Sequence, residues 1–367
     1  MRWCIEACAL LLLLVPARAS TAKRVSAEDI FQLASTSLAV DDDDEVNARQ
    51  VGKAQLTEQL SGEAIQILKD QGAGPLALRA LDELRARSAS LPPPPQPVVV
   101  IDAGLGPEQQ RAMLAKIADY ASGYVSALPN MSCTETTRFS SSGRESGIFG
   151  SRKAQARLPD GWRLEDTIVE DLDYYEGTET YHTRKLNGTP ETRPMTEIRG
   201  SYSRGELGSI LAMTFASSSQ ARFQWSHWER LRGQRVAVFS YSVDRVHSQY
   251  SACCASLGSM TINGVSRRQY KSWISAYRGF VYADGDTGCI VRFSFRNVEI
   301  PAGYRLRDSR NLVEYSSVAL GGKSFWLPIR AVHYTRREEG RTRDEIQFSN
   351  YRKFGADTNI TFPTEEK

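Results

Sequence analysis

Tyr270-Lys-Ser-Trp-Ile-Ser-Ala-Tyr-Arg-Gly-Phe-Val-Tyr-Ala283, then Asp284-Gly-Asp-Thr-Gly288, then Cys289-Ile-Val-Arg-Phe-Ser-Phe-Arg-Asn-Val298, is the stretch on which the fold is decided. Two aromatic-rich runs flank a segment made only of turn-forming residues, the pattern of a β-hairpin. Successive side chains of a strand point to opposite faces. Arg292 and Arg296 alternating with Phe293 and Phe295 therefore give that strand one basic and one apolar face.

The same texture extends both ways from this hairpin. Upstream lie Trp162 to Leu172, Glu179 to Leu186 before the turn dipeptide Asn187-Gly188, Ala221 to Trp228, and Arg235 to Asp244. Downstream, Leu312 to Leu320 and Ser324 to Arg336 flank Gly321-Gly322, and Thr342 to Phe354 with Asn359 to Phe362 close the series. Only Gly205 to Phe215 breaks it with a helical spacing, through Leu207, Ile210, Leu211 and Phe215. Pro107 to Leu128 is a second helix, with Met113, Ile117, Tyr120, Ala121 and Tyr124 on its apolar stripe. About nine antiparallel strands joined by short hairpins form a large curved sheet, and the two helices are its natural covers.

Ser26 to Ser90 reads as a helical hairpin. Ile30, Leu33 and Ala34, then Leu56, Leu60, Ala64, Ile67 and Leu68, recur at helical spacing. Gly72-Ala73-Gly74-Pro75 ends one helix and starts the next. The acids Asp41 to Glu45 read as a solvated loop, since a calcium loop interleaves its acids with other residues. Leu91-Pro92-Pro93-Pro94-Pro95-Gln96-Pro97 is a semi-rigid spacer. The fold class expected is thus α+β, with an N-terminal helical hairpin, then a large curved antiparallel sheet (an unclosed β-barrel) covered by helices. Its divisions are a signal peptide at 1–19, a helical region at 20–90, a proline-rich linker at 91–100, the helix-plus-half-barrel domain at 101–363 and a tail at 364–367.

The signal peptide is expected from Arg2, the apolar run Ala7 to Val15 and the small-x-small site Ala17-Arg18-Ala19, with cleavage before Ser20. That run is too short to span a bilayer, which takes about 20 apolar residues. Cys4 and Cys8 precede the cut, so no lipid attachment at the new terminus is expected. An exported protein, periplasmic or secreted, follows. With 46 basic and 43 acidic side chains the balance gives no case for nucleic acid. Cys133, Cys253, Cys254 and Cys289 remain, and export permits disulfides whose pairing the sequence leaves open.

Motifs for chemistry fail on inspection. Gly322-Lys323-Ser324 lacks the first glycine of a phosphate loop, where Ser317 stands, and joins strands rather than opening a helix. Ser203 sits in Gly200-Ser-Tyr-Ser-Arg-Gly205, short of a nucleophile elbow, and reads as a helix cap. His182, His227, His247 and His333 fall in separate β segments without ligand spacing. No catalytic residue, metal or cofactor is expected. The positive feature is aromatic. Trp225, Tyr241, Trp273, Phe280, Phe293, Phe295 and Trp326 are candidates to line an apolar cavity for a lipid or other hydrophobic small molecule.

Several segments resemble the outer-membrane lipoprotein-sorting (LolA/LolB-like) half-barrel fold. They are Tyr277-x-Gly-Phe-Val-Tyr-Ala-Asp284 with Gly288-Cys-Ile-Val-Arg292, Val313-x-Tyr315 with Phe325-Trp-Leu-Pro328, and Phe348-x-Asn-Tyr351 with Ile360-x-Phe362. Leu128-Pro-Asn130 with Cys133-Thr134, Gly205-Glu-Leu-Gly-Ser209 and Phe223-x-Trp225 are similar to a group of uncharacterised exported bacterial proteins. The resemblance spans roughly residues 130 to 363 and implies an open barrel whose apolar cavity carries acyl chains, with no catalytic residues. The helical region and the proline linker are additions to that pattern. A non-catalytic envelope interaction module, meeting a protein partner through the helical region, is the alternative, and a hydrolase is the third reading.

Overall fold

The structure of the protein, a computed structural model, describes residues 24–40, 43–101, 105–143, 155–158, 161–198, 205–262, 265–304, 306–338 and 340–354, with the backbone alone over 251–272 and at Thr196. The expected signal peptide, Ser203, the last strand Asn359 to Phe362 and the tail lie outside the described residues, as do the side chains of Cys253 and Cys254.

The chain begins with β1 (Arg24–Val25), α1 (Ala27–Ala39), α2 (Asp44–Gly52), β2 (Gln55–Leu56), α3 (Gly62–Asp70) and α4 (Pro75–Ser88). The N-terminal region is thus four helices rather than a two-helix hairpin. Ser26 caps α1 through a reciprocal box, its Oγ accepting from Asp29 N and Asp29 Oδ2 accepting from Ser26 N, both at 3.0 Å. Leu56 and Leu60 sit at helical spacing without being helical. Leu56 belongs to the β1–β2 pair and Leu60 N is held by Ser88 Oγ at 3.1 Å. Ser61 caps α3. Phe31, Leu68, Leu81 and Leu84 close a core of their own for these helices.

The acids at 43 and 44 are not a solvated loop. Asp43 caps α2, accepting from Glu45 N at 3.1 Å. Asp44 reaches across to α4, whose Leu76 and Ala77 amides each donate to its carboxylate at 2.9 Å. The proline run is likewise seated: Pro92 O accepts from Gln59 N, and Arg230 donates to Gln96 Oε1.

Past it come β3 (Val99–Val100), α5 (Pro107–Ala127), β4 (Met131–Gly143), β5 (Ala156–Arg157), β6 (Arg163–Tyr175), β7 (Thr178–Leu186), β8 (Thr189–Pro190), α6 (Met195–Ile198) and α7 (Ser209–Phe215). The chain then runs through β9 (Arg222–Leu231), β10 (Gln234–Val243), β11 (Ser251–Ile262), β12 (Val265–Ile274), β13 (Ala276–Asp284), β14 (Ile290–Val298), β15 (Leu306–Leu320), β16 (Lys323–Arg337) and β17 (Gly340–Lys353). The run Tyr270 to Ala283, read as one strand, breaks at the buried Ser275 into β12 and β13. The first closes the separate β11–β12 hairpin and the second enters the main sheet.

That sheet has 13 strands in the order β3-β9-β10-β13-β14-β15-β16-β17-β4-β6-β7-β8, with β5 branching from β6. Its first and last strands do not pair, so it is an unclosed antiparallel half-barrel, as expected. Both faces are covered. On the inner one, Phe239, Tyr241, Tyr277, Val281, Phe293, Tyr315 and Ile346 pack against Ile117 and Tyr124 of α5 and Leu211 of α7. On the outer one, the C-terminal end of α1, through Ala39 and Val40, meets Leu312, Val332 and Tyr334.

Candidate functional site

Strand alternation sorts Tyr241, Phe293 and Phe295 to the inner face, and the hairpin registers bring them together. Tyr241 stacks on Phe293 at 5.1 Å between ring centroids. Its hydroxyl donates to Ser294 O at 2.9 Å, so the one polar atom of the ring is satisfied. Burial, with Tyr277 and Tyr315 nearby, pushes that hydroxyl well above the usual tyrosine range. From Tyr241 a path of rings runs outward. Phe223 lies 5.9 Å away, and Phe215, at the end of α7, stacks on Phe223 at 5.0 Å. Trp225 joins from the next inward position of β9, edge-on to Trp228 and to Phe239 at 5.3 Å each. The path begins fully buried and ends half-exposed, because Phe215, Phe223 and Trp225 all retain contact with solvent.

The inner face is otherwise occupied by its covering helices. Gly208 lets α7 begin where it does: its φ is +128°, and a Cβ there would stand 2.8 Å from the Tyr124 ring. Tyr124 in turn donates to Trp326 O at 2.9 Å. That bond reaches the backbone of Trp326, whose side chain packs with the outer-face cluster of Leu231, Val236, Tyr282 and Val291 as well as at the edge of the main core, away from the Tyr241 group. Phe295 packs on Tyr250 at 5.0 Å. Phe280 faces the other way, onto the outer surface beside Tyr282. Trp273 lies against Tyr304 at 4.2 Å at the base of the β11–β12 hairpin, and its Nε1 has no hydrogen-bond partner. The structure therefore brings together Trp225, Tyr241, Phe293 and Phe295, and leaves Trp273, Phe280 and Trp326 apart from them.

The outer face holds what the sequence reading missed. Register sets Arg222, Ser242, Arg278, Arg296 and Arg310 side by side on β9, β10, β13, β14 and β15. Like charges directly opposite on neighbouring strands cost about 0.2–1 kcal/mol per pair. Three of the arginines are compensated. Arg222 holds Asp244 with two bonds, at 2.5 and 2.8 Å. Buried Asp308 accepts from Arg296 Nε at 2.8 Å and Arg310 Nε at 2.9 Å. Arg310 also donates to Leu38 O at the C-terminal end of α1, where a cation is favoured. Arg278, exposed in the middle of the row, has no hydrogen bond or ion pair among the described residues. Above the row, α1, α2 and the α3–α4 turn roof a cleft of about 690 Å³. The signal for part of this was in view, since Arg292 and Arg296 alternate with phenylalanines. The row itself needs the register of five strands.

A smaller cleft of about 470 Å³ lies nearby, around Gln32, Arg292 and Glu314. Burial would push the Glu314 carboxyl up, but the guanidinium groups of Arg292 and Arg232, then Arg330, outweigh it and hold it below the usual carboxylate range. Arg292 donates to Glu314 Oε1 at 2.6 and 3.0 Å and to Gln32 Oε1 at 2.7 Å, tying α1 to the sheet.

Ser226, His227 and Glu229 form a chain of bonds. Ser226 Oγ is 2.8 Å from His227 Nδ1, and His227 Nε2 is 2.9 Å from Glu229 Oε2. Ser226 is the extra residue of the bulge where β9 meets Val238 and Phe239. The His227 and Glu229 side chains have no solvent exposure. The other Glu229 oxygen accepts from Gln32 Nε2 at 2.9 Å. The chain is a polar pin beneath α1, buried at His227 and Glu229 and half-buried at Ser226. His333 pairs with Asp344 at 3.3 Å inside the sheet. Among the described residues no three His, Cys, Asp or Glu side chains are grouped to hold a metal ion. Cys133 and Cys289 are free thiols.

No family model matches the chain, and no curated protein does. Solved structures do, at low similarity. A putative outer-membrane lipoprotein-sorting domain from Vibrio parahaemolyticus matches over 67% of this chain and 93% of its own, at 11% identity and a TM-score of 0.34. A DUF1329 family protein from Desulfovibrio piger matches over 68% and 94%, at 10% identity and a TM-score of 0.28. A LolA-superfamily protein from Nitrosomonas europaea matches over 69% and 97%, at 8% identity and a TM-score of 0.24. At these scores the likeness transfers no residue role.

Proposed function

We propose that this chain is an exported, non-catalytic binding protein that carries a lipid or other hydrophobic small molecule on the inner face of its half-barrel. The ring path from buried Phe293 and Tyr241 to half-exposed Phe223 and Phe215 carries the reading. It is a continuous run of packed rings from the core to the solvent beside α7, an apolar surface suited to an acyl chain or flat apolar ligand. Export rests on the leader that the sequence leads one to expect at 1–19. An interaction module displayed on a spacer has less support, because Gln32 and Glu28 bind α1 to β9, β14 and the β9–β10 turn.

Organic extraction of the purified protein followed by mass spectrometry tests the reading, together with titration of an apolar fluorescent probe. A co-purified lipid and saturable probe binding, weakened in Phe223→Ser, are expected. An empty extract with no probe response in the wild type would refute it.

A further inference from the structure

The arginine row on the outer face lies on the side of the sheet away from the ring path, under a roof of helices. Its floor is built to leave room. The row's only uncharged member is Ser242, and the neighbouring row runs Gln224, Ser240, Phe280, Ser294 across the same strands. Small side chains there hold the cleft open at about 690 Å³, within the roughly 300–1,000 Å³ range of small-molecule sites. Two donors border it without an acceptor. One is the Arg278 guanidinium, the row's uncompensated charge. The other is Gln71 Nε2 in the roof, without a hydrogen-bond partner and closed to water until its side chain turns toward the cleft, whose Oε1 accepts from Ser35 Oγ at 3.2 Å. Leu38, Ala39 and Phe280 give the space an apolar side. Asp44 and Asp70 also line it, but Asp44 is engaged by the α4 amides and Asp70 accepts from Gln66 at 2.8 Å.

We propose that this cleft binds an oxyanion, a phosphate or carboxylate group, with Arg278 as its principal contact and Gln71 donating from the roof. The forked guanidinium offers paired donors that match such a group. A bound anion removes the like-charge cost that Arg278 bears between Ser242 and Arg296 and satisfies the Gln71 donor in the same step. Two sources supply this chemistry, a free anion and the headgroup of an anionic amphiphile whose first carbons would lie along Phe280 and Leu38.

Calorimetric titration of the full chain with inorganic phosphate, and separately with dodecyl phosphate kept below micelle formation, tests the assignment. Saturable binding of one or both, weakened by added salt and by about tenfold or more in Arg278→Ala, is expected. Gln71→Glu, which puts a carboxylate at the roof, is a second variant and should weaken binding as well. Arg184→Ala, on β7 far along the sheet, should leave it unchanged. Binding of inorganic phosphate identifies a free anion as sufficient, and binding of dodecyl phosphate alone identifies an amphiphile. No saturable binding of either by the wild type, or affinity unchanged in both Arg278→Ala and Gln71→Glu with their melting curves intact, would overturn the proposal. Tyr241 and Phe295 also border the cleft, so the apolar probe is titrated in Arg278→Ala as well: an unchanged response there, beside lost anion binding, separates this site from the ring path.

Discussion

Replacing Gln32 by Ala is the sharpest perturbation of the joint between the helices and the half-barrel. The side chain of Gln32 makes three hydrogen bonds off its own helix: Nε2 donates to Glu229 Oε1 at 2.9 Å and to Arg230 O at 2.7 Å, while Oε1 accepts from Arg292 Nη1 at 2.7 Å. Two of these involve charged groups, worth about 1.5–3 kcal/mol each, and one a neutral carbonyl, worth about 1 kcal/mol. Their total is an upper bound, reached only if the abandoned partners stay dry. Gln32 lines the 470 Å³ cleft, which admits water to the Arg292 side. Glu229 has no such access, since its side chain is wholly buried against His227. The expected loss is therefore about 2–3 kcal/mol, most of it from the Glu229 oxygen left without a donor.

Equilibrium denaturation in urea measures this directly, and Gln32→Glu supplies the control of sign. A glutamate keeps an acceptor for Arg292 but sets a second carboxylate against Glu229, so it should cost more than the alanine despite its better match in size. A loss below about 0.5 kcal/mol for Gln32→Ala, or a Gln32→Glu variant as stable as the wild type, would refute the view that α1 is clamped to the sheet through this side chain.

Removing the Asp44 carboxylate in Asp44→Ala frees two amides at the start of α4 and should lower stability by about 1–2 kcal/mol, read from the shift in urea midpoint, with Asp44→Asn losing less. Cys133 is buried beside Glu135, and that burial pushes its thiol up to about 12; alkylation mapped by mass spectrometry in mildly alkaline buffer should spare it until the protein is unfolded. Stability should fall at both pH extremes. The Glu314 carboxyl, depressed in the folded state, stabilises the protein above its ordinary range and loses that contribution as pH falls through the folded value. The buried hydroxyls of Tyr241 and Tyr250, the latter raised to about 12, favour the folded state below the ordinary tyrosine value and lose that contribution as pH rises past it. Circular dichroism across the pH range gives both limbs, and Glu314→Gln should flatten the acid one.

What the sequence revealed depended on how local the signal was. The hairpin across Asp284 to Gly288 and the alternation of β14 were readable because both strands and their turn fall within about thirty residues. The covering helices α5 and α7 followed from apolar stripes within single segments. The N-terminal helices misled because Leu56 and Leu60 have helical spacing while being buried for another reason, one in a two-residue strand and one beside Ser88. Asp44 could not be recognised as a cap from its own neighbourhood, since the amides that it serves are 32 and 33 residues away. The aromatic candidates split in the same way. Tyr241, Phe293 and Phe295 share an inward parity that the alternation gives, whereas Phe280 falls on the opposite parity of its strand, and a list of aromatics carries no parity.

The two covers of this sheet differ in kind, and the difference bears on access. The inner face meets α5 and α7 through rings and aliphatic side chains, so separating them would expose the main core at about 25 cal/mol for each Å² of apolar surface. The outer face meets α1 through Gln32, Arg292, Glu229, Arg310 and Glu28, groups that water solvates well once they part, with an apolar contact only at its C-terminal end, where Ala39 and Val40 meet Leu312 and Val332. An interface of that composition costs less to open than an apolar one of equal area, because water returns the hydrogen bonds that opening removes. The helices share a core around Phe31, Leu68 and Leu84 with Val98 and Val99, and β3 ties that core to β9 at the edge of the sheet, so α1 can part from the sheet locally while the rest stays anchored there. Hydrogen exchange should therefore find the α1–sheet amides opening at lower free energy than those of β13 and β14. The arginine cleft beneath α1 is reached by that motion, while the ring path on the inner face needs no opening beyond the half-exposed end at Phe215.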